Sequence, residues 1–388
     1  MIYLDHAATT PVHPEVIEEM MPYFNEKFGN PSGIYEFASE NKEKLQKVRN
    51  VIAESIGASA DEIYFTSGGT ESDNWAVRGI AESMKDKGKH IITSSIEHHA
   101  ILNTCEFLEK HGYEVTYLEV DDSGMISPEQ LKKSIRTDTI LISIMFANNE
   151  IGTIEPIREI GEIAAEHNIY FHTDAVQAYM HVPINVNDMK IDMMSASSHK
   201  FGGPKGVGFL YIRDGIDIAN FMYGGGQESG KRAGTENVAG IVGMGKAVEL
   251  AVKSMNKDII YLRNMREYLY YRITSEIPYV RLNGSRTERL PGNLNISFKY
   301  IEGESLLIML DMEGICASAG SACTAGSKES SYVLKAIGVP EDFAKGSLRI
   351  TLGTDNTMDD MDIVFEKINY IVNTLREFSD EYVNLKIK

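Results

Sequence analysis

The sequence predicts an α/β fold: a mainly parallel, seven-stranded sheet covered by helices, joined to a smaller α+β part. Three observations lead there. The chain has 388 residues, enough for a large core and more than one domain. Its first two-thirds alternate apolar strand-like runs with amphipathic helical stretches, the pattern of a parallel sheet with helical crossovers. After about residue 255 that alternation gives way to long helical stretches with occasional strands.

The expected strands of the first part are Glu62–Thr66, His90–Ser94, Glu114–Leu118, Thr139–Phe146, Tyr170–Thr173, Met193–Ala196 and Gly208–Ile212. Helices are expected at Ser39–Ile56, Glu71–Lys87, Ile101–His111, Ser127–Ile135 and Pro156–His167. Met244–Glu276 reads as a long helical region of one or two helices. Beyond it, Leu294–Phe298 and Leu348–Leu352 read as strands, and Glu304–Glu313, Ser330–Ile337 and Met358–Glu377 as helices. This places a large domain over residues 15–255 and a small α+β domain over residues 1–14 and 256–388. In such sheets a ligand sits beyond the carboxyl ends of the strands.

Composition narrows the function classes. Hydrophobic residues make up 43% and charged residues 24%, ordinary for a globular protein. The net charge of −18 argues against non-specific binding to nucleic acid or acidic membranes. There is no uncharged apolar run of about 18 residues, so no membrane span is expected. The start, Met1-Ile2-Tyr3-Leu4-Asp5-His6, lacks the basic and apolar regions of a secretory signal, and a cytoplasmic location is expected. The three cysteines, Cys105, Cys316 and Cys323, are odd in number and form no CxxC pair, which disfavours a disulfide framework or a structural zinc site.

Several strand ends carry residues suited to chemistry. Ile63-Tyr64-Phe65-Thr66 runs into Ser67-Gly68-Gly69-Thr70 and then a helix. Glycines there let backbone approach a ligand, and a helix start offers N–H groups to a phosphate. Thr70 is equally readable as a helix N-cap. Ala196-Ser197-Ser198-His199-Lys200 follows another strand. Ser197 and His199 offer donors to a phosphate, and Lys200 offers an amine to an aldehyde; the alternative is a surface lysine in a turn, the reading that fits Lys205. Asp174 ends Tyr170-Phe171-His172-Thr173-Asp174, where a carboxylate can pair with a protonated pyridine nitrogen or cap a helix. Gln177 follows within reach of a ring oxygen. His172 shares a strand face with Asp174, but no third ligand presents itself for a metal. His98, in Glu97-His98-His99, suits ring stacking and proton transfer or is an ordinary loop histidine. Asn149 ends a further strand in Ala147-Asn148-Asn149-Glu150 or belongs to a plain turn.

Cys323 lies in Ala317-Ser318-Ala319-Gly320-Ser321-Ala322-Cys323-Thr324-Ala325-Gly326-Ser327, a run with almost nothing to bury. That is the setting of an accessible, reactive thiol rather than a core cysteine. Cys105 and Cys316 sit in apolar surroundings and read as structural. Arg349, among alternating apolar residues in Leu348-Arg349-Ile350-Thr351-Leu352, needs an anionic partner, either a substrate carboxylate or an internal acid.

Together these segments resemble the NifS/IscS-type cysteine desulfurases of the pyridoxal-phosphate (PLP) fold-type I, class V aminotransferase group. The resemblance runs from Tyr3-Leu4-Asp5-His6-Ala7-Ala8-Thr9-Thr10-Pro11 through Gly29-Asn30-Pro31-Ser32 to Leu348-Arg349, with Ser197-Ser198-His199-Lys200 and Gly320-Ser321-Ala322-Cys323-Thr324 in the expected order. It implies a PLP fold-type I large domain and a PLP cofactor carried on Lys200. Asp174 then pairs with the pyridine nitrogen, Gln177 contacts the phenolic oxygen and His98 stacks on the ring. Gly69, Thr70, Ser197, Ser198 and His199 belong to the phosphate and cofactor site. Asn149 and Arg349 hold the substrate carboxylate, with Asn149 also beside the cofactor. Thr235, in Lys231-Arg232-Ala233-Gly234-Thr235, reaches the phosphate of the other subunit in a homodimer. Cys323 accepts sulfur from L-cysteine and passes it to an iron–sulfur scaffold protein or another acceptor. No metal is implied in the resting enzyme. Glu97-His98-His99 replaces a frequent Glu-His-Lys, and Gln227 stands where some relatives have histidine. An aminotransferase or selenocysteine lyase of the same fold, and a PLP-binding regulator without turnover, are the rival expectations.

Overall fold

The computed structural model describes residues 1–319 and 331–387. In chain order the elements are β1 Ile2–Tyr3, α1 Pro14–Met20, α2 Pro22–Asn25, α3 Glu36–Ile56, β2 Ile63–Thr66, α4 Gly69–Ser83, β3 His90–Ser94, α5 His99–Glu109 and β4 Glu114–Leu118. They continue with α6 Pro128–Ser134, β5 Thr139–Ser143, α7 Ile157–Glu166, β6 Tyr170–Asp174, β7 Met193–Ser197, β8 Gly208–Ile212 and α8 Val238–Glu276. The last are β9 Val280–Leu282, β10 Asn293–Phe298, α9 Gly303–Met312, β11 Ile315–Cys316, α10 Tyr332–Ala336, α11 Glu341–Ala344, β12 Ser347–Thr351, α12 Met358–Glu377 and α13 Asp380–Ile387.

The expected seven-stranded sheet forms, in the order β2-β8-β7-β6-β5-β3-β4. Strands β4, β3, β5, β6 and β7 pair in parallel, while β8 runs antiparallel to both β7 and β2. Strands β3, β5, β7 and β8 are buried at all five positions, because helices cover both faces. Since β2 and β7 both oppose β8, their carboxyl ends share an edge with those of β3, β5 and β6. That edge carries every strand-end motif picked out above.

Boundaries differ from expectation for local reasons. Helix α4 starts at Gly69, two residues early, because the glycine turn itself enters the helix. Strand β5 stops at Ser143, yet Ile144 N still donates to His172 O at 3.1 Å and Phe146 N to Asp174 O at 2.8 Å, so the run stays aligned with β6. Helix α3 starts three residues early, at Glu36, and ends at Ile56 as expected, where Gly57 adopts φ 73°, a left-handed cap.

The expected strands near residues 294 and 348 are β10 and β12, paired antiparallel with β9 on the far side of β10. The amino-terminal strand β1 pairs in parallel with β11. Leu4 N then donates to Cys316 O and Thr351 N to Leu4 O, each at 2.8 Å, which threads the amino terminus between β11 and β12. Helix α8 is one helix of 39 residues rather than two. Its Ile241, Met244 and Val248 belong to the core beneath the large sheet, and its Leu262, Met265, Leu269 and Ile273 to the core around β10 and β12. No helix among the described residues is long and apolar enough to cross a membrane.

Candidate active site

A cavity of about 290 Å³ opens at the shared strand edge. Gly69, Thr70, His98, Asn149, Asp174, Gln177, Ser197, His199, Lys200 and Arg349 line it, together with Ala7, Ala8, Asp73 and Val176. Ten of the residues singled out in the sequence are therefore brought together. Three are not. Ser198 is fully buried beneath the lining, and its hydroxyl has no hydrogen-bond partner among the described residues. Thr235 is exposed and lies away from this cavity. Cys323 lies outside the described residues.

The glycine turn is built for close approach. Gly68 has φ 149°, outside the range most side chains tolerate. A Cβ on Gly69 would lie 2.5 Å from Val176 Cγ2, so a glycine lets the start of α4 sit close against Val176, two residues past β6. Across the turn stand Ser197, at the end of β7, and His199. The His199 ring meets Thr9 Oγ1 at 3.1 Å, and burial, with Lys200 and Lys205 nearby, pushes its pKa down to about 4. The ring is neutral near pH 7 and offers a neutral donor or acceptor.

Lys200 donates from Nζ to the carbonyls of Ala7 at 2.6 Å and Ala8 at 2.9 Å. The Ala7 carbonyl also accepts from Gln177 Nε2 at 3.0 Å. The amino-terminal segment is thus a wall of the cavity, fastened by Thr10 N to His199 O at 2.9 Å. Lys205 is exposed, as its place in the Gly/Pro turn led us to expect.

Asp174 closes the cavity floor, 6% exposed, with Oδ1 accepting from Val176 N at 2.9 Å. Burial raises its pKa, while His98 and Lys200 pull it back. Beside it Asp73, on the inner face of α4, is driven well above the usual carboxylate range by burial and then by Asp174 itself. Two buried carboxyls in one site do not both ionise readily, and burial raises both. His98 caps α5, its Nδ1 accepting from Ala100 N at 3.1 Å. That leaves the proton of the neutral ring on Nε2. Burial lowers its pKa, opposed by Asp174.

His172 lies behind Asp174, held by Ser143 Oγ at 2.9 Å and Ser195 Oγ at 3.0 Å, with burial pushing it down to about 3. It is a neutral core histidine. Among the described residues, no cluster of three or more His, Cys, Asp or Glu side chains could hold a metal ion.

Arg349, on β12, is 2% exposed. It donates to Asn149 O at 3.0 Å and Asp5 Oδ1 at 2.7 Å. The internal acid and the cavity-facing position both apply. Asn149 Oδ1 is buried without a partner among the described residues, an acceptor open to a ligand's donor.

The chain flanking the Cys323 segment is anchored at this cavity on both sides. Before it, Ser318 and Arg349 exchange backbone bonds at 3.2 and 2.5 Å, and Ser347 Oγ donates to Ala319 O at 3.0 Å. After it, Ser331 Oγ donates to Glu150 Oε2 at 2.5 Å and Tyr332 Oη to Glu97 O at 2.6 Å. The Tyr332 ring meets His99 edge-on, with centroids 5.0 Å apart. These four anchors, and Asp73, escaped the sequence reading. Asp73 carried a signal, standing four residues after Gly69 and so on the same helix face.

The donor set suits a phosphorylated aromatic aldehyde. An amine, a buried carboxylate and a glycine turn at a helix start surround one cavity, whose orphaned Asn149 oxygen and Arg349 suit an amino acid.

Comparison with known proteins agrees. The family model described as aminotransferase class-V matches residues 2–364. A cysteine desulfurase IscS of Dictyoglomus turgidum is 55% identical over 378 residues, covering 97% of this chain and 96% of that protein. One from Methanosarcina thermophila is 57% identical over 378 residues, covering 97% and 93%. A solved NifS-like protein superposes with a TM-score of 0.91 at 37% identity, over 96% of this chain and 99% of the other. A structure described as SspA in complex with cysteine matches with a TM-score of 0.80 at 39% identity, over 91% and 99%. The chain belongs to the class-V aminotransferase family and, within it, to the cysteine desulfurases.

Proposed function

We propose that the chain is a PLP-dependent cysteine desulfurase that converts L-cysteine to L-alanine and takes the sulfur as a persulfide on Cys323. The observation that carries this reading is the meeting of Lys200, Asp174, His98, Asn149 and Arg349 in one cavity, beside which the described residues before and after the Cys323 segment, Ser318, Ala319, Ser331 and Tyr332, are anchored.

Bound PLP supplies an electron sink for the carbanion formed at the substrate α-carbon. Lys200 would hold the cofactor through its amine, and that amine would move the substrate α-proton. Asp174, at the carboxyl end of β6, would hold the proton of the pyridine nitrogen. Gln177 would serve the phenolic oxygen, and Gly69, Thr70, Ser197 and His199 would hold the phosphate. His98 would stack against the ring and present a neutral Nε2–H. Arg349 and Asn149 orient the substrate carboxylate. Cys323, as thiolate, would attack the substrate sulfur: the S–S bond forms as the Cβ–S bond breaks, and the electron pair left on Cβ takes up a proton to give alanine.

We place the working enzyme as a homodimer, with Thr235 serving the phosphate of the other copy. Thr235 is exposed and away from its own cavity, and Phe24, Phe28, Ile34 and Tyr35 form an exposed apolar stretch suited to a second copy. We place it in the cytoplasm, delivering sulfur to an iron–sulfur scaffold protein or another acceptor. We divide it into a large domain of residues 15–255 and a small domain of residues 1–14 and 256–388, sharing α8.

The test is incubation of the purified protein with L-cysteine and assay of alanine and sulfide. Equimolar alanine and persulfide-derived sulfide support a desulfurase. Consumption of an added 2-oxo acid without sulfide release points to an aminotransferase. No turnover points to a regulator, and a marked preference for selenocysteine to a lyase.

A further inference from the structure

The loop between β8 and α8 is closed at its base by a bridge between Met222 and Arg232, with Ala233 N donating to Met222 O at 3.2 Å. Two charged side chains fasten it to its own chain. Glu228 is buried and turns inward, one carboxylate oxygen taking Arg49 of α3 and the other accepting from Phe65 N at 2.8 Å. Phe65 lies on the edge strand β2, so Glu228 satisfies an N–H that no neighbouring strand reaches. The backbone is strained to aim it: Glu228 and Ser229 stand at φ 46° and 55°, a left-handed region costly for residues with a Cβ.

The second anchor is Arg232. Its Nε and Nη2 grip Glu71 Oε1 and Oε2 at 2.7 and 3.1 Å, a bidentate pair. Glu71 also accepts from Ser67 N at 3.1 Å, the first residue of the phosphate turn. Burial works to raise the Glu71 carboxyl, but Arg232 and Ser67 outweigh it and hold it lowered. Thr235 projects just beyond these anchors into solvent.

We propose that Arg232 acting through Glu71, and Glu228 acting through Arg49, are positioning residues that hold this loop so that Thr235 is presented to the cofactor phosphate of a second copy. The inference rests on the shared site proposed above. A glycine-rich loop without anchors would lose its freedom on every assembly, and the two ion pairs fix it beforehand.

Mixed dimers separate action on the other copy from action on the same chain. The readout is the release rate of covalently held PLP into a scavenging apoenzyme, followed by absorbance. In the reference dimer, one chain is wild type and the other carries Lys200→Ala. Adding Glu71→Gln and Arg232→Gln to the Lys200→Ala chain removes the anchor without leaving a lone carboxylate. Release from the wild-type chain is then expected to speed up about tenfold, equivalent to roughly 1.4 kcal/mol. Because Glu71 also braces Ser67 in its own phosphate turn, the same-chain arm uses Glu228→Gln, which on the chain that keeps Lys200 is expected to leave the rate near the reference. Acceleration in this second arrangement, or in neither, overturns the inference. Thr235→Val on the Lys200→Ala chain is the control. If it fails to accelerate release, the shared site itself is wrong. If it accelerates release while the Glu71/Arg232 pair does not, only the positioning role fails. Glu228→Gln on the Lys200→Ala chain repeats the test should the paired variant not assemble, with assembly judged by sedimentation.

Discussion

Arg349 donates to the Asn149 carbonyl at 3.0 Å and to the Asp5 carboxylate at 2.7 Å, which joins the amino terminus, the β5 loop and β12 at one wall of the cavity. Its Nε has no partner among the described residues. Asp5 therefore neutralises the guanidinium while leaving it a donor for an incoming carboxylate.

Arg349→Ala is accordingly expected to raise KM for L-cysteine about 10- to 100-fold, the loss of one or two charge-assisted bonds. Asp5→Asn tests the other half. It leaves a buried arginine without its anion, so the ligand-free protein should melt earlier than wild type. The substrate carboxylate then replaces the lost charge, and the rise in Tm on adding L-alanine should exceed the wild-type rise. A smaller rise would show that Asp5 holds Arg349 in place for the ligand rather than standing in for it.

The carbonyls of Ala7 and Ala8 hold the Lys200 amine inside the cavity, whereas Lys205 is exposed. Borohydride treatment of the purified yellow protein should fix cofactor to Lys200, located by peptide mapping. Lys200→Ala should abolish turnover and the absorbance of the covalent cofactor, with PLP still retained through its phosphate contacts. Label on Lys205 would refute the assignment.

The three cysteines should separate cleanly. Cys105 is fully buried, and burial pushes its thiol up to about 12, so it is no nucleophile near neutrality. Cys316 is half-buried and committed to β11 beside the amino terminus. Cys323→Ser should keep PLP and bind L-cysteine yet release almost no sulfide. Cys105→Ser and Cys316→Ser should retain most activity. An inactive Cys316→Ser with an active Cys323→Ser would reverse the choice of nucleophile.

What the sequence revealed and what it hid follow from distance along the chain. Gly69, Thr70, Asp174, Ser197 and Lys200 each follow an apolar run directly, so one parallel sheet brings them to a common edge. Glu97 and Glu150 matter through packing between remote segments, and no local pattern marks a carboxyl that will be buried. Glu97, for example, is buried and spans Ser94 Oγ and Met145 N at 2.7 and 2.9 Å. Strands β1 and β11 are two residues each, too short for any periodicity. Tyr332 lies near the start of an expected helix, but its bond to Glu97 spans more than two hundred residues. The place of Thr235 was suggested by resemblance alone, since an exposed threonine after a glycine-rich loop has no local mark.

Glu155 offers a test of the buried carboxyls outside the reaction. It is 3% exposed, accepts from Ile126 N at 3.0 Å, and burial pushes its pKa from 4.5 up to about 8. Between these two values the unfolded chain has lost this proton and the folded chain keeps it. Folding then takes up a proton, and the stability this group contributes, full below about pH 4.5, falls by about 1.4 kcal/mol per pH unit until about pH 8. His199, held down at about 4, acts in the opposite sense: its contribution is lost as pH falls below about 6.5. The two trends oppose each other in the wild-type protein, so its own profile is a poor guide. Glu155→Gln removes only the carboxyl. Relative to wild type, the variant should gain about 1.4 kcal/mol per pH unit from pH 5 to pH 7, read from urea unfolding at each pH. A difference that stays constant across that range would show that Glu155 is ionised in the folded protein.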